Sequence, residues 1–161
     1  EVKLIKEGPA IWENVYGEWI IYVDLSGEEH PVIAYNLKTE EERKILDYGF
    51  FTVLYDDELF YQGEDSFIYQ LNLLNGERKK IAEVWGQNFV KIKDRLYFCG
   101  GNKISYVNLT NAVITDIYDI GKKTIQEMWE QDGMLYFKET FEENETYKIY
   151  EQETGNVIDY E

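Results

Sequence analysis

The sequence predicts an all-β fold made of a fourfold repeat, on three observations. First, four segments run from a polar turn into an apolar strand: Gly17-Glu18-Trp19-Ile20-Ile21-Tyr22, Asp57-Glu58-Leu59-Phe60-Tyr61, Asp94-Arg95-Leu96-Tyr97-Phe98 and Asp132-Gly133-Met134-Leu135-Tyr136-Phe137. Aligned on Ile20, Leu59, Leu96 and Leu135, they step by 39, 37 and 39 residues. Second, a further apolar run follows each, ending in Asn36, Asn72 and Asn108 at steps of 36. Third, no stretch has convincing helical spacing, and Val, Ile, Tyr, Phe and Trp fill the runs, as strands prefer. A period near forty with only strands in each unit is the pattern of propeller blades.

Each unit reads as four strands, a to d. Strand a is carried by residues 11–16, 50–55, 89–92 and 125–129, and strand b by the aligned motifs. Strand c is Ile33-Ala34-Tyr35-Asn36-Leu37, Tyr69-Gln70-Leu71-Asn72-Leu73, Ser105-Tyr106-Val107-Asn108-Leu109 and, more weakly, Tyr147-Lys148-Ile149-Tyr150-Glu151 behind a longer loop. Strand d follows at residues 43–46, 79–82, 115–118 and 156–159. Between c and d stand Lys38-Thr39-Glu40, Asn75-Gly76, Asn111-Ala112 and Thr154-Gly155. Asn-Gly is a strong hairpin signal because both residues tolerate positive φ. Residues 39–46 come nearest to a helix, and the repeat overrules it. Asp57, Asp94 and Asp132 recur in the a–b turn, where Asp bonds its own backbone.

The layout puts blades at residues 9–47, 48–84, 85–121 and 122–161 of one domain, each a four-stranded antiparallel sheet. Lys3-Leu4-Ile5-Lys6-Glu7 reads as one more d strand, so residues 1–8 form the outer strand of a preceding or closing blade. Five d strands against four sets of a, b and c allow three arrangements: a piece of a larger propeller, a half-ring that pairs with a second copy, or a closed four-bladed ring.

These blades resemble WD40-like, TolB-like and YWTD-like bacterial propellers, and most of all uncharacterised bacterial propeller repeats with the pattern D-x-[LI]-[YF]-[YF] followed by I-Y-x-[LIV]-N-L and a turn. The resemblance covers nearly the whole chain and implies the fold; such repeats host unrelated roles. The Trp-Asp and Gly-His dipeptides of WD40 blades and a clean Tyr-Trp-Thr-Asp are missing, so neither family's partners carry over.

Composition narrows the partners. With 161 residues, 44% hydrophobic and 16% aromatic, the chain can bury the core of a single domain. A net charge of −16 leaves no basic stripe for phosphates, so nucleic acid is a poor partner and anionic membranes are disfavoured. No run approaches the roughly 20 apolar residues that span a bilayer. The single cysteine, Cys99, excludes an internal disulfide and reads as a half-buried structural thiol at the end of a b strand. The chain opens at Glu1 rather than Met, which leans towards a secreted or cell-envelope protein of a bacterium. The sequons at Asn108 and Asn144 read as chance.

No motif names a reaction. His30, the only histidine, sits in the b–c loop Asp24-Leu25-Ser26-Gly27-Glu28-Glu29-His30-Pro31 and reads as a solvated loop residue. One His and one Cys far apart leave no zinc set. In the same loop Asp24, Ser26 and Glu28 alternate as oxygen ligands of the kind calcium takes, though without EF-hand spacing. No cofactor is expected: Gly100-Gly101 is a hairpin turn, with no phosphate loop around it. Thirty-two acids make some carboxylate pair inevitable, so pairs alone carry no weight for glycoside hydrolysis.

Propeller geometry directs attention to the face built by the d–a and b–c loops. Its candidates are Asp47, Tyr48, Asp65, His30, Trp85 and Phe141. Trp85 and Phe141 are the aromatics there that strand packing need not bury; an exposed aromatic amid acids anchors a peptide or stacks on a sugar, while the bland alternative has Trp85 plugging a blade junction. The expected function is a non-catalytic interaction or ligand-binding module for a protein or carbohydrate, with a second copy or neighbouring blades as further partners. The alternative is a carbohydrate hydrolase or lyase using loop-face carboxylates, which would show two converging carboxylates, one with a raised pKa.

Overall fold

A computed structural model of the chain describes residues 8–160. Among them every regular element is a strand, and the sixteen strands form four antiparallel sheets in simple up-and-down order. The first sheet is β1 (Ala10–Tyr16), β2 (Trp19–Asp24), β3 (Val32–Asn36) and β4 (Glu42–Leu46); the second is β5 (Phe50–Tyr55), β6 (Glu58–Gln62), β7 (Ile68–Asn72) and β8 (Arg78–Ala82). The third is β9 (Gln87–Ile92), β10 (Arg95–Gly100), β11 (Lys103–Asn108) and β12 (Ile114–Asp119); the fourth is β13 (Thr124–Gln131), β14 (Met134–Phe141), β15 (Asn144–Glu151) and β16 (Asn156–Tyr160). Four antiparallel sheets of four strands are what the repeat predicts, and residues 42–46 hold β4 rather than a helix. The extra strand expected at Lys3–Glu7 lies outside the described residues.

The chain packs as two compact units, Glu1–Lys80 and Ile81–Glu161, with the boundary inside β8. In each unit the alternation of side chains across a strand gives the same packing rule. In the first, Ile21, Val23, Val32 and Ala34 of one sheet share a core with Leu59, Tyr61 and Leu71 of the next. In the second, Tyr97, Cys99 and Ile104 share one with Leu135, Phe137 and Tyr150. The second and fourth apolar residues of one b strand thus meet the first and third of the following one.

The turns explain the recurring asparagines. Asn36 Oδ1 accepts the N–H groups of Lys38 and Thr39, both at 2.9 Å. Asn72 does the same for Leu74 and Asn75, and Asn108 for Thr110 and Asn111, at 2.9–3.1 Å. Each is an Asx turn that holds the c–d corner. The residue four places on has positive φ: Glu40 (62°), Gly76 (73°), Ala112 (59°) and Gly155 (74°). In the Asn75-Gly76 pair only the glycine needs the left-handed conformation; Asn75 instead accepts the N–H of Glu77 through its side chain.

Two expectations are corrected. The fourth blade's extra residues lengthen its strands, not a loop: β14 and β15 are 8 residues each and close on Glu142-Glu143, with Phe141 paired to Asn144. The three turn aspartates are also not equivalent. Asp132 takes the first corner position with φ 54°. Asp57 and Asp94 take the second, and their carboxylates serve other side chains rather than their own backbone: Asp57 accepts the Tyr16 hydroxyl, and Asp94 accepts Asn108 Nδ2 at 2.8 Å.

Candidate functional site

In the first unit, the end of the sheets that carries the b–c loops is cut by a groove. Its floor and one wall are the end of β4 and the linker after it: Lys44, Ile45, Leu46, Asp47 and Tyr48. The other wall is Glu64, Asp65 and Arg78 from the second sheet, and Glu28 and Glu29 extend it along the first b–c loop. The two main depressions measure about 420 and 460 Å³.

Two glycines let these segments close on one another. A Cβ at Gly49 would lie 2.7 Å from Val32 Cγ2 and 3.4 Å from the Tyr61 ring, so the linker carrying Asp47 and Tyr48 presses directly on the core. A Cβ at Gly63 would lie 2.7 Å from the Tyr69 ring, so the loop carrying Glu64 and Asp65 lies flat on that tyrosine. The loop is then fixed by Asp65, which accepts the Tyr69 hydroxyl at 2.6 Å and the N–H of Phe67 at 3.2 Å.

Charge in the groove is mixed. Lys44 Nζ meets Asp47 at 2.6 Å; this hydrogen bond holds the Asp47 carboxyl below its ordinary range and raises the lysine. The Tyr69 hydroxyl, followed by backbone donors, likewise holds Asp65 down against the opposing effect of burial. The Arg78 guanidinium stacks over Tyr69 at 4.1 Å and stands 5.6 Å from the Tyr61 ring. Beneath it Tyr61 is completely buried, and burial pushes its phenol up to about 12. Among the described residues the buried hydroxyls of Tyr61 and Thr140 lack a hydrogen-bond partner; Tyr61 is the one in this unit.

Of the candidates read from sequence, Asp47 and Tyr48 line the groove, and Asp65 lines the depression that adjoins it. His30 joins them through aromatic contacts, edge-on to Phe50 at 5.0 Å and to Tyr48 at 6.3 Å, with Tyr48 and Phe50 5.4 Å apart. It is half-buried against those rings rather than solvated. Asp24 Oδ1 accepts the Ser26 N–H at 2.8 Å, closing a local Asx turn, and Glu28 stands on the groove rim. Among the described residues no three His, Cys, Asp or Glu side chains gather as a metal site. Sequence reading missed Lys44 and Arg78, because both lie in d strands that read as rim.

Trp85 and Phe141 belong to the second unit. Trp85 is exposed and lines a shallow cavity of about 360 Å³ with Phe98, Gly100, Lys103, Ser105 and Asp116. There Asp116 joins Lys103 at 2.5 Å and accepts the Ser105 hydroxyl at 2.9 Å. Phe141 is an exposed strand-end residue, not a loop residue. Cys99 is fully buried, with Met128 Sδ at 3.1 Å, and burial pushes its thiol up to about 12, which makes it a packing residue rather than a nucleophile.

No protein-family model matches the chain, and no curated protein matches it. Solved structures do. TolB from Acinetobacter baumannii superposes with a TM-score of 0.72 at 15% identity, over 94% of this chain and 43% of that one. An extracellular domain from B. thetaiotaomicron gives 0.72 at 9%, over 98% and 23%. Oligogalacturonate lyase from Vibrio parahaemolyticus gives 0.65 at 15%, over 96% and 54%. The chain therefore spans about half or less of the length of these three structures. At these identities the likeness shows the fold, four blades of a β-propeller, and such a fold hosts unrelated roles.

Proposed function

We propose that the protein is a non-catalytic binding module, and that the groove of its first unit receives a protein or carbohydrate ligand. The observation that carries this reading is the electrostatic state of the groove. It is open, walled by Tyr48 and by charges of both signs, and its titration-shifted carboxyls, Asp47 and Asp65, are both held down by a neighbour. A general acid for glycoside cleavage needs the opposite, a carboxyl raised towards neutrality by burial or a like charge. Carboxylates fixed in the ionised form, an aromatic wall and solvent access suit recognition. The acidic surface disfavours nucleic acid and anionic membranes as the partner, and a secreted or envelope setting is consistent with the extracellular domain among the similar structures.

The test is a titration of the isotope-labelled chain followed by amide NMR, with four probes: a blocked basic peptide, a blocked acidic peptide, a neutral tetrasaccharide and trigalacturonate. Saturable shifts at Asp47, Tyr48, Glu64 and Asp65 with any one probe, recovered intact, support the reading. Recovery of a shortened or unsaturated sugar would replace it with the hydrolase or lyase alternative.

A further inference from the structure

We infer that the cavity beside Trp85 is a second binding site, and that it takes one neutral hexose residue of a carbohydrate. It lies in the second unit and stands or falls apart from the groove.

The repeat shows what is particular about this corner. Four residues on from the aligned Leu96 and Leu135 stand Gly100 in the third blade and Glu139 in the fourth. Alternation along the strand puts them on the same face as Phe98 and Phe137. In the fourth blade the Glu139 carboxylate closes the corner, 3% exposed and bonded to Lys123 and the Tyr118 hydroxyl. In the third, the linker between β8 and β9 comes down on the glycine instead. A Cβ on Gly100 would lie 2.8 Å from the Trp85 carbonyl oxygen and 3.3 Å from the Phe98 ring. Any other residue would push the linker away. Glycine thus seats Trp85, 41% exposed, at the edge of a hollow of about 360 Å³ that stays open beside it.

The chemistry of the hollow selects the ligand. Trp85 and Phe98 are its aromatic residues, and Lys103, Ser105 and Asp116 are its polar ones. Asp116 accepts Lys103 Nζ at 2.5 Å and the Ser105 hydroxyl at 2.9 Å. The Lys103 and Ser105 hydrogen bonds hold its carboxyl below the ordinary range, so it serves as an acceptor. A carboxylate has about four lone-pair sites and an ammonium three donors, and these two side chains are still 51% and 46% exposed. A donor and an acceptor side by side match the neighbouring hydroxyls of a sugar, each of which donates and accepts. The pair is also neutral as a whole, in a chain of net charge −16. It offers nothing extra to a cation and nothing to an anion. The apolar face of a hexose ring has the indole to lie on. At about 360 Å³ the hollow is near the low end of ligand sites, roughly 300–1,000 Å³, which suits a single ring.

Methyl α-glucoside, methyl α-mannoside and methyl β-galactoside are titrated separately into the isotope-labelled full chain. The Trp85 indole N–H and the amides of Lys103, Ser105 and Asp116 are followed by NMR. At least one sugar should give saturable shifts there, with a dissociation constant on the order of 1 mM, as for a ligand of this size. No shift at these groups with any of the three overturns the inference. Trp85→Ala should weaken that sugar about tenfold, and Trp85→Phe, which keeps a ring, should recover most of the loss. Tyr147→Ala removes a ring of similar exposure, 40%, elsewhere in the same unit and should stay within about twofold. Equal weakening by Trp85→Ala and Tyr147→Ala means unspecific stacking and overturns the site. Lys103→Gln, on an exposed side chain, should cost about fivefold, the worth of one hydrogen bond; unchanged affinity overturns the polar half of the assignment even if Trp85→Ala fails to fold. Shifts at Tyr48 and Asp47 without any at Trp85 would sink this inference and leave the groove reading standing. Shifts at Trp85 while no probe moves the groove would do the reverse.

Discussion

Each unit holds one dense cluster of acids, bases and tyrosines, and the two clusters are opposite in character. In the second unit, Glu139 on β14 is buried with 3% of its side chain exposed. It accepts from Lys123 Nζ at 2.7 Å, the Tyr118 hydroxyl at 2.7 Å and Thr146 Oγ1 at 3.0 Å, with Lys148 Nζ at 3.6 Å. Tyr118 belongs to the third sheet and Thr146 to the fourth, so one carboxylate ties neighbouring blades together. In the first unit, Lys44, Arg78, Glu28, Glu29 and Glu64 are exposed around a groove, and the hydroxyl of the buried Tyr61 has no partner among the described residues. The same residue types gather around one buried, shared carboxylate in the second unit and stand exposed around an open groove in the first.

Stability measurements on single variants should separate the two. Glu139→Gln takes the carboxylate partner from Lys123, while Lys148 keeps Asp159. It should cost about 3 kcal/mol, the lower end for breaking a buried ion pair, because Lys123 is 35% exposed. Glu64→Gln should stay within about 0.5 kcal/mol, as a surface substitution does. Urea unfolding decides; equal losses would mean that the groove is as structural as the Glu139 cluster and would break the comparison.

Acid should sharpen the contrast further. Burial pushes the Glu139 carboxyl up, but hydrogen bonds from Lys123, Tyr118 and Thr146 outweigh it and hold the group below its ordinary value. A carboxyl lowered on folding contributes stability that is present above its unfolded pKa and lost as the pH falls through the folded one. The gap in unfolding free energy between the parent and Glu139→Gln should therefore be constant near neutrality and close below the ordinary glutamate range. A gap that stays open at the acid end would show that the destabilisation comes from shape and not from the charge.

The repeat was legible because the residues that make it act locally. Leu59, Leu96 and Leu135 enter strands directly from a two-residue turn, and Asn36, Asn72 and Asn108 cap their own corners, so equal spacing follows from equal local structure. Asp132 misled because Asp132-Gly133 and Asp57-Glu58 look alike in sequence, while strand pairing decides which residue is first in the corner. Asp47, Tyr48 and Asp65 were visible as loop residues. Lys44 and Arg78 were not, since only the packing of the first sheet on the second turns rim residues of d strands into groove walls. His30 needed Phe50 from the following blade to become an aromatic neighbour of Tyr48. Tyr61 read as one more core tyrosine, and nothing in its neighbours along the chain marks its hydroxyl as unmatched.

The smallest expected effect tests whether the blades differ by design of the corner alone. Three blades place Asn at the end of strand c, where its short side chain reaches the N–H groups two and three residues on. The fourth has Glu151, one methylene longer, whose carboxylate accepts the Thr154 hydroxyl at 2.9 Å while its carbonyl accepts Gly155 N–H at 2.8 Å. The backbone corner is thus the same and the side-chain cap is not. Asn72→Ala should lose about 1 kcal/mol, the worth of a local side-chain-to-backbone hydrogen bond. Glu151→Asn should gain about 0.5 kcal/mol by restoring the Asx turn on a corner that already holds its positive-φ glycine. Thermal unfolding of the two variants measures both. If Glu151→Asn loses stability instead, the Glu151–Thr154 contact contributes more than the cap it replaces, and the fourth blade's corner is a distinct solution and not a weakened copy of the other three.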